Sequence, residues 1–245
     1  MAENGRTAIV TGASKRVGAA IARGLADDGW TVVAHVHHDQ DAVPDGSLKV
    51  AADLADPGCA EVVFAAAAGC PPVRLLVNNA ARFAWDSLDD FGGEELTAHM
   101  AVNVRAPVLL TQRLAREHAR AEDALVVNLL DSKLAEPNPD YLSYTLSKNA
   151  LAAFTDLAAR ALAPAGIRVN GLAPGLMLQS DGQSEANFRA MHSDNPLCRG
   201  VEPQDVLDAI RYLAGARCVT GQILVIDSGH RFMRLERDVQ FLEAQ

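Results

Sequence analysis

Short, almost uninterrupted apolar or β-branched runs alternate along this chain with long Ala- and Leu-rich segments. The runs are TAIV (7–10), TVVAH (31–35), LKVA (48–51), RLLVN (74–78), ALVVNLL (124–130), IRVNGL (167–172) and QILVI (222–226). Most lack the every-second-residue polarity of a sheet with one wet face, and most are separated by segments of helix length. The pattern therefore predicts an α/β fold, a doubly wound parallel sheet of seven strands with helices on both faces. Helices are predicted over 17–28, 58–68, 94–119, 142–163 and 203–214. Residues 176–200 are polar and show no strong period, which predicts a long surface loop or a lid over a site. The tail 231–245 places Phe232, Leu235, Val239 and Leu242 at helical spacing on an otherwise charged segment.

At 245 residues and 49% hydrophobic content, length permits one large domain or two smaller ones. The motif order below favours one domain over 1–245. A net charge of −9 without a lysine or arginine run argues against nucleic acid and against an anionic membrane surface. No apolar stretch reaches transmembrane length, and the opening MAENGRTAIV carries no signal or transit pattern, so a cytoplasmic location is expected. Cys59, Cys70, Cys198 and Cys218 lack metal-ligand spacing and read as reduced thiols.

The first run passes into TGASKRVG, a turn containing Gly12 and Gly18, and then into an amphipathic segment ending near Gly29. A strand, glycine turn and helix N-terminus in that order suit a pyrophosphate, because the first-turn N–H groups are free and carry partial positive charge. The second run ends in AHVHHD. Val36 stands where an acid would bind the ribose diol of NAD, and His37 and His38 follow, with Lys15 in the first turn and Asp39 one residue on. This favours NADPH. His35 and His37 share a strand face that His38 does not, and with no suitably spaced acid or cysteine no metal site is expected.

In DYLSYTLSKNALAAF, Tyr144 and Lys148 stand four apart at the start of a predicted helix and so share a face. An ammonium beside a phenol favours phenolate, so Lys148 is expected to lower the pKa of Tyr144 and make it a proton donor or acceptor near neutral pH.

With these features the chain resembles the short-chain dehydrogenase/reductase family over nearly its whole length. The motifs are TGASKRVG, ADL around Asp53, NNAA (78–81), Asn103 in the central helix, YTLSK and APGL (173–176). The resemblance implies a Rossmann-type domain in which Tyr144 relays a proton as a nicotinamide transfers hydride. It also implies that Lys148 binds the nicotinamide ribose and, with Asn103, supports a relay water. Gly12, Lys15, Arg16, Val17, Gly18, Asp53, Leu54, Asn79, Ala80, Pro174, Gly175 and Leu176 become expected cofactor contacts, and a homotetramer is implied.

Two positions depart from the commonest family pattern. Arg16 occupies the glycine turn, and Asp131, thirteen residues before Tyr144, stands where a serine is usual. Both are shared by the branch of pteridine reductases and related dihydromonapterin or dihydrofolate reductases, as is a phenylalanine after the NNA motif, here Phe83. The branch implies that Phe83 stacks a flat heterocycle, that Arg16 donates to cofactor phosphate and pterin edge, and that Asp131 with Tyr144 protonates ring nitrogen. Bland readings stand beside these: Phe83 as core and Asp131 as a turn cap. Ala81 departs from the branch, some members of which have a serine there. Three functions result: an NADPH-dependent pterin or folate-type reductase, a reductase of a carbonyl such as a 3-oxoacyl thioester, and an NADP(H) sensor without turnover. Intact Asn103, Tyr144 and Lys148 weigh against the sensor, Asp131 and Arg16 against the carbonyl reductase.

Overall fold

A computed structural model describes residues 5–119, 122–179 and 182–242. Ser180 and Asp181 of the expected substrate loop, and residues 243–245 of the expected tail, lie outside the described residues. All seven apolar runs form strands: β1 (Thr7–Val10), β2 (Thr31–Val36), β3 (Leu48–Ala51), β4 (Val73–Asn78), β5 (Ala124–Leu129), β6 (Ile167–Pro174) and β7 (Ile223–Ile226). They make one parallel sheet in the order β3-β2-β1-β4-β5-β6-β7. Winding reverses between β1 and β4, which opens a crevice at their C-terminal ends.

Because successive strand side chains face opposite ways, each strand feeds two cores. Ala8 and Val10 face α1 (Arg16–Asp27) and α7 (Pro203–Gly215), meeting Ile21, Leu25, Leu207 and Ile210. Ile9 faces the other layer, formed by α2 (Cys59–Ala65), α4 (Ala106–Glu117) and α5 (Leu142–Leu162), with Val63, Leu110 and Leu114. Each fully buried Leu or Ile contributes about 1.5–3 kcal/mol. A one-residue slip of β1 would exchange the two faces and forfeit that burial on both, so register is firmly set.

Three expectations are corrected. The helix predicted over 94–119 is α3 (Gly93–Met100), a π-helical turn (Ala101–Arg105) and α4. Pro107 has no N–H to give the carbonyl of Asn103 in α-helical register, and Ala106 N–H reaches back to Ala101 O instead. The irregular stretch 176–200 contains a helix, α6 (Glu185–Ser193), whose start is capped by Ser184 Oγ accepting from Asn187 N–H. The tail is not an apolar helix. It forms two 3₁₀ turns, His230–Phe232 and Val239–Phe241, with Val239 buried and Phe232 exposed. Its course is set by Arg237, whose guanidinium holds buried Asp140 at 2.8 Å, and by Tyr141, whose hydroxyl donates to Gln240 Oε1 at 2.5 Å.

Candidate active site

A cleft of about 710 Å³ opens where the sheet reverses. Every residue expected from the sequence to contact cofactor or substrate lines it; Asn103, buried behind the wall, does not.

At its two glycines the first turn has no room for a side chain. Gly12 has φ +66°, and a Cβ there would stand 3.0 Å from Ala80 Cα; one on Gly18 would stand 2.0 Å from Gly12 O. Thr11 Oγ1 accepts from Asn79 and Ala80 N–H at 3.0 Å, and Asn79 Nδ2 donates to Thr11 O at 2.8 Å, so the turn and the NNAA segment after β4 are one body. His35 Nδ1 accepts from Gly12 N–H at 3.2 Å and its Nε2 donates to Ala52 O at 3.0 Å. Both ring nitrogens are thus occupied, and burial pushes its pKa down. Among the described residues no group of three or more His, Cys, Asp or Glu is placed to hold a metal ion.

Arg16 adopts a left-handed conformation, φ 55°, and its exposed guanidinium donates to Gln179 O at 2.5 Å, joining the turn to the loop after β6. Lys15 beside it is exposed. At the end of β2 the rings of His37 and His38 stand 4.2 Å apart. Asp39 is turned out to an ion pair with Lys49, whereas Asp41 reaches the cleft wall and accepts from His38 N–H. Asp53 Oδ1 accepts from Ala55 N–H at 2.8 Å, folding the turn that carries Leu54.

At the other end, Tyr144 Oη donates to Asp131 Oδ2 at 2.8 Å. Asp131 Oδ1 accepts from Lys133 N–H at 2.8 Å, capping a 3₁₀ turn (Ser132–Leu134), so the cap reading and the cleft-wall position hold together. Lys148 Nζ donates to Leu129 O at 2.6 Å and lies 5.6 Å from the Tyr144 ring. The expected effect of Lys148 on the phenol is not what the site produces: burial first, then the charge and hydrogen bond of Asp131, hold the Tyr144 pKa well above its ordinary value. Burial also lowers the Lys148 pKa to about 8, with Asp131 acting the opposite way.

Asn103 acts from behind. Its Oδ1 accepts from Arg82 N–H at 2.7 Å and its Nδ2 donates to Arg82 O at 3.0 Å and to Ser147 Oγ at 2.9 Å. Asp86, in the same loop, accepts from Ser143 N–H at 2.9 Å at the first turn of α5. Between these anchors Phe83 is 45% exposed, so it is a wall rather than core. It stacks on Tyr141 at 4.3 Å and meets Tyr144 edge-on at 4.8 Å.

Sequence reasoning missed one wall altogether. Lys133, His230, Arg231, Arg234, Asp238 and Val239 all line the cleft. Their polar pattern was readable, but their position depends on the pairing of Asp140 with Arg237, 97 residues apart in the chain. Burial lowers the pKa of Lys133 and raises that of Asp238.

A family model described as enoyl-(acyl carrier protein) reductase matches residues 12–231. Pteridine reductase 1 of Leishmania tarentolae is 30% identical, over 93% of this chain and 96% of its own. The solved structure of FolM alternative dihydrofolate reductase 1 from Brucella canis, complexed with NADP, superposes with a TM-score of 0.86 at 33% identity, covering 94% of this chain and 95% of its own. That of 3-ketoacyl-(acyl-carrier-protein) reductase from Brucella melitensis, complexed with NADH, gives 0.83 at 27% identity over 93% and 98%.

Proposed function

Since the chain belongs to the short-chain dehydrogenase/reductase family of NAD(P)-dependent oxidoreductases, we propose that it reduces a dihydropterin or dihydrofolate-type ring at the expense of NADPH. The Cβ-free turn at Gly12 and Gly18 fits a pyrophosphate, with α1 supplying free N–H groups. His37, His38 and Lys15 would hold the 2′-phosphate, Asp53 and Leu54 the adenine. Lys148, with Pro174, Gly175 and Leu176, would hold the nicotinamide end. Bound there, the reduced cofactor supplies hydride to a ring carbon.

The chain's own task is the proton. The observation that carries the reading is the 2.8 Å bond from the Tyr144 phenol to Asp131. An ionised aspartate beside the reacting atom opposes the alkoxide that forms when a carbonyl is reduced, whereas a phenol and carboxyl sharing a proton can deliver it to an imine nitrogen. Lys148, with a pKa of about 8, can hold or release a proton near neutrality and so help restore the dyad. Phe83 supplies one face for a flat ring, and Arg16 donates to its polar edge. Asn103 holds the Phe83 loop against α5. On this reading the chain is one catalytic domain working as a cytoplasmic homotetramer; light scattering after size exclusion tests the tetramer.

Likeness to the 3-ketoacyl reductase favours carbonyl reduction as the second reading. Steady-state NADPH oxidation with dihydrobiopterin, dihydromonapterin, dihydrofolate and an acetoacetyl thioester separates the two. Turnover of the thioester without any dihydropterin or dihydrofolate would replace the first reading with the second.

A further inference from the structure

The wall contributed by residues 230–239 brings a carboxylate to the cleft. The Asp238 side chain is 20% exposed and lines the same cleft as Asp131, Tyr144 and Phe83. Its Oδ1 accepts from the backbone N–H of Gln240 at 3.2 Å, and Lys133 Nζ pairs with its Oδ2 at 3.8 Å. That ammonium also donates to Asp140 O. An ionised carboxylate accepts up to about four hydrogen bonds, so this half-buried one can also accept from a ligand in the cleft.

The carboxylate is also held in place. Arg237 grips Asp140, Asp238 N–H donates to Asp140 Oδ2 at 2.8 Å, and Tyr141 Oη donates to Gln240 Oε1 at 2.5 Å. Three contacts within four residues fix the backbone on both sides of Asp238. A group anchored in this way binds without ordering a flexible segment.

Resting on the pterin reading above, we infer that Asp238 accepts the paired N–H donors of the substrate's amino-pyrimidinone edge. Two carboxylates then divide the ring: Asp131 serves the nitrogen that gains a proton, and Asp238 identifies the heterocycle. The 2-amino group and adjacent ring N–H of a pterin present two parallel donors, which match the two oxygens or two lone pairs of a carboxylate. A simple ketone or thioester has no such pair. Lys133 supplies the positive charge that favours the anionic form of Asp238, against burial that disfavours it.

The test compares Asp238→Asn and Asp238→Ser with wild type on a dihydropterin and on its analogue lacking the 2-amino group. Both variants keep an oxygen able to cap the Val239–Phe241 turn, so thermal melting is expected to stay near wild type. For Asp238→Asn, whose amide opposes donor to donor, kcat/KM should fall about 30-fold or more with the dihydropterin, chiefly through KM, and no more than about fivefold with the analogue. Affinity for NADPH should be unchanged. Equal losses on both substrates would reduce Asp238 to a structural role, and no loss would remove it from recognition; either overturns the inference with the pterin reading intact. Failure of wild type to reduce any dihydropterin would overturn both.

Discussion

The Tyr144 hydroxyl donates its hydrogen bond to a carboxylate, Asp131 Oδ2 at 2.8 Å. Removing the hydroxyl while keeping the ring isolates that proton. Tyr144→Phe is expected to lower kcat by about 10²–10⁴ while the dissociation constant for NADPH moves by less than about threefold. Single-turnover rates and fluorescence titration measure the two. More than a tenth of wild-type turnover would remove Tyr144 from proton transfer.

Asp131→Ser restores the residue commonest in the family at this position. Dihydropterin reduction should drop about 100-fold or more, and weak ketone reduction should emerge, because the repulsive carboxylate is gone. The phenol pKa should also fall, since Asp131 is among the groups holding it up. Ultraviolet difference titration of Tyr144 reads that shift directly; an unchanged titration would show that burial acts alone.

Lys148 is an ammonium 3% exposed to solvent, and its folded-state pKa of about 8 lies below the ordinary 10.5. Between those values the unfolded chain binds more protons than the folded one, so this group makes the ligand-free protein more stable as pH rises from about 8 to 10.5. Over the whole window the gain is about 3 kcal/mol. Lys148→Met should abolish this rise and most activity together. Denaturant midpoints at pH 7.5 and 10 in both proteins provide the check, and a parallel rise in the variant would assign it elsewhere.

Arg16 holds a left-handed backbone that disfavours a branched Cα by roughly 1–2 kcal/mol. Arg16→Gly relieves that strain, offset in part by the greater freedom of glycine in the unfolded chain, so melting should change little. The lost guanidinium should raise KM for the pterin about tenfold and weaken NADPH less. A larger effect on NADPH than on the pterin would make Arg16 a phosphate ligand only.

The adjacent rings of His37 and His38 mark the expected 2′-phosphate position. Replacing both by alanine should cut the preference for NADPH over NADH by about tenfold or more through NADPH affinity alone. Wild type binding NADH as tightly as NADPH at pH 7 would refute the assignment at its root.

The central strands were legible because they are buried on both faces, so β1, with Thr7, Ala8, Ile9 and Val10 all at 0% exposure, had to be uniformly apolar or β-branched. The turn at Gly12 and the pair Tyr144 and Lys148 were legible because local geometry demands those residue types at those spacings. Three things resisted. The π turn at Asn103 hinges on a missing donor at Pro107, which helical periodicity does not register. The raised pKa of Tyr144 depends first on its burial and then on its hydroxyl meeting Asp131, and spacing along α5 registers neither. The tail course depends on Asp140 meeting Arg237, a choice among many acid–base pairs that the intervening fold alone resolves.

That last contact has a consequence for the chain as it is made. Synthesis proceeds from the N-terminus, and folding follows it. Every residue proposed to hold the cofactor, from Gly12 to Leu176, has left the ribosome just past the end of β6, but Asp140 waits almost a hundred residues for Arg237. A nascent chain therefore passes through a stage at which β1 to β6 have been made while the wall carried by residues 230–239 has not.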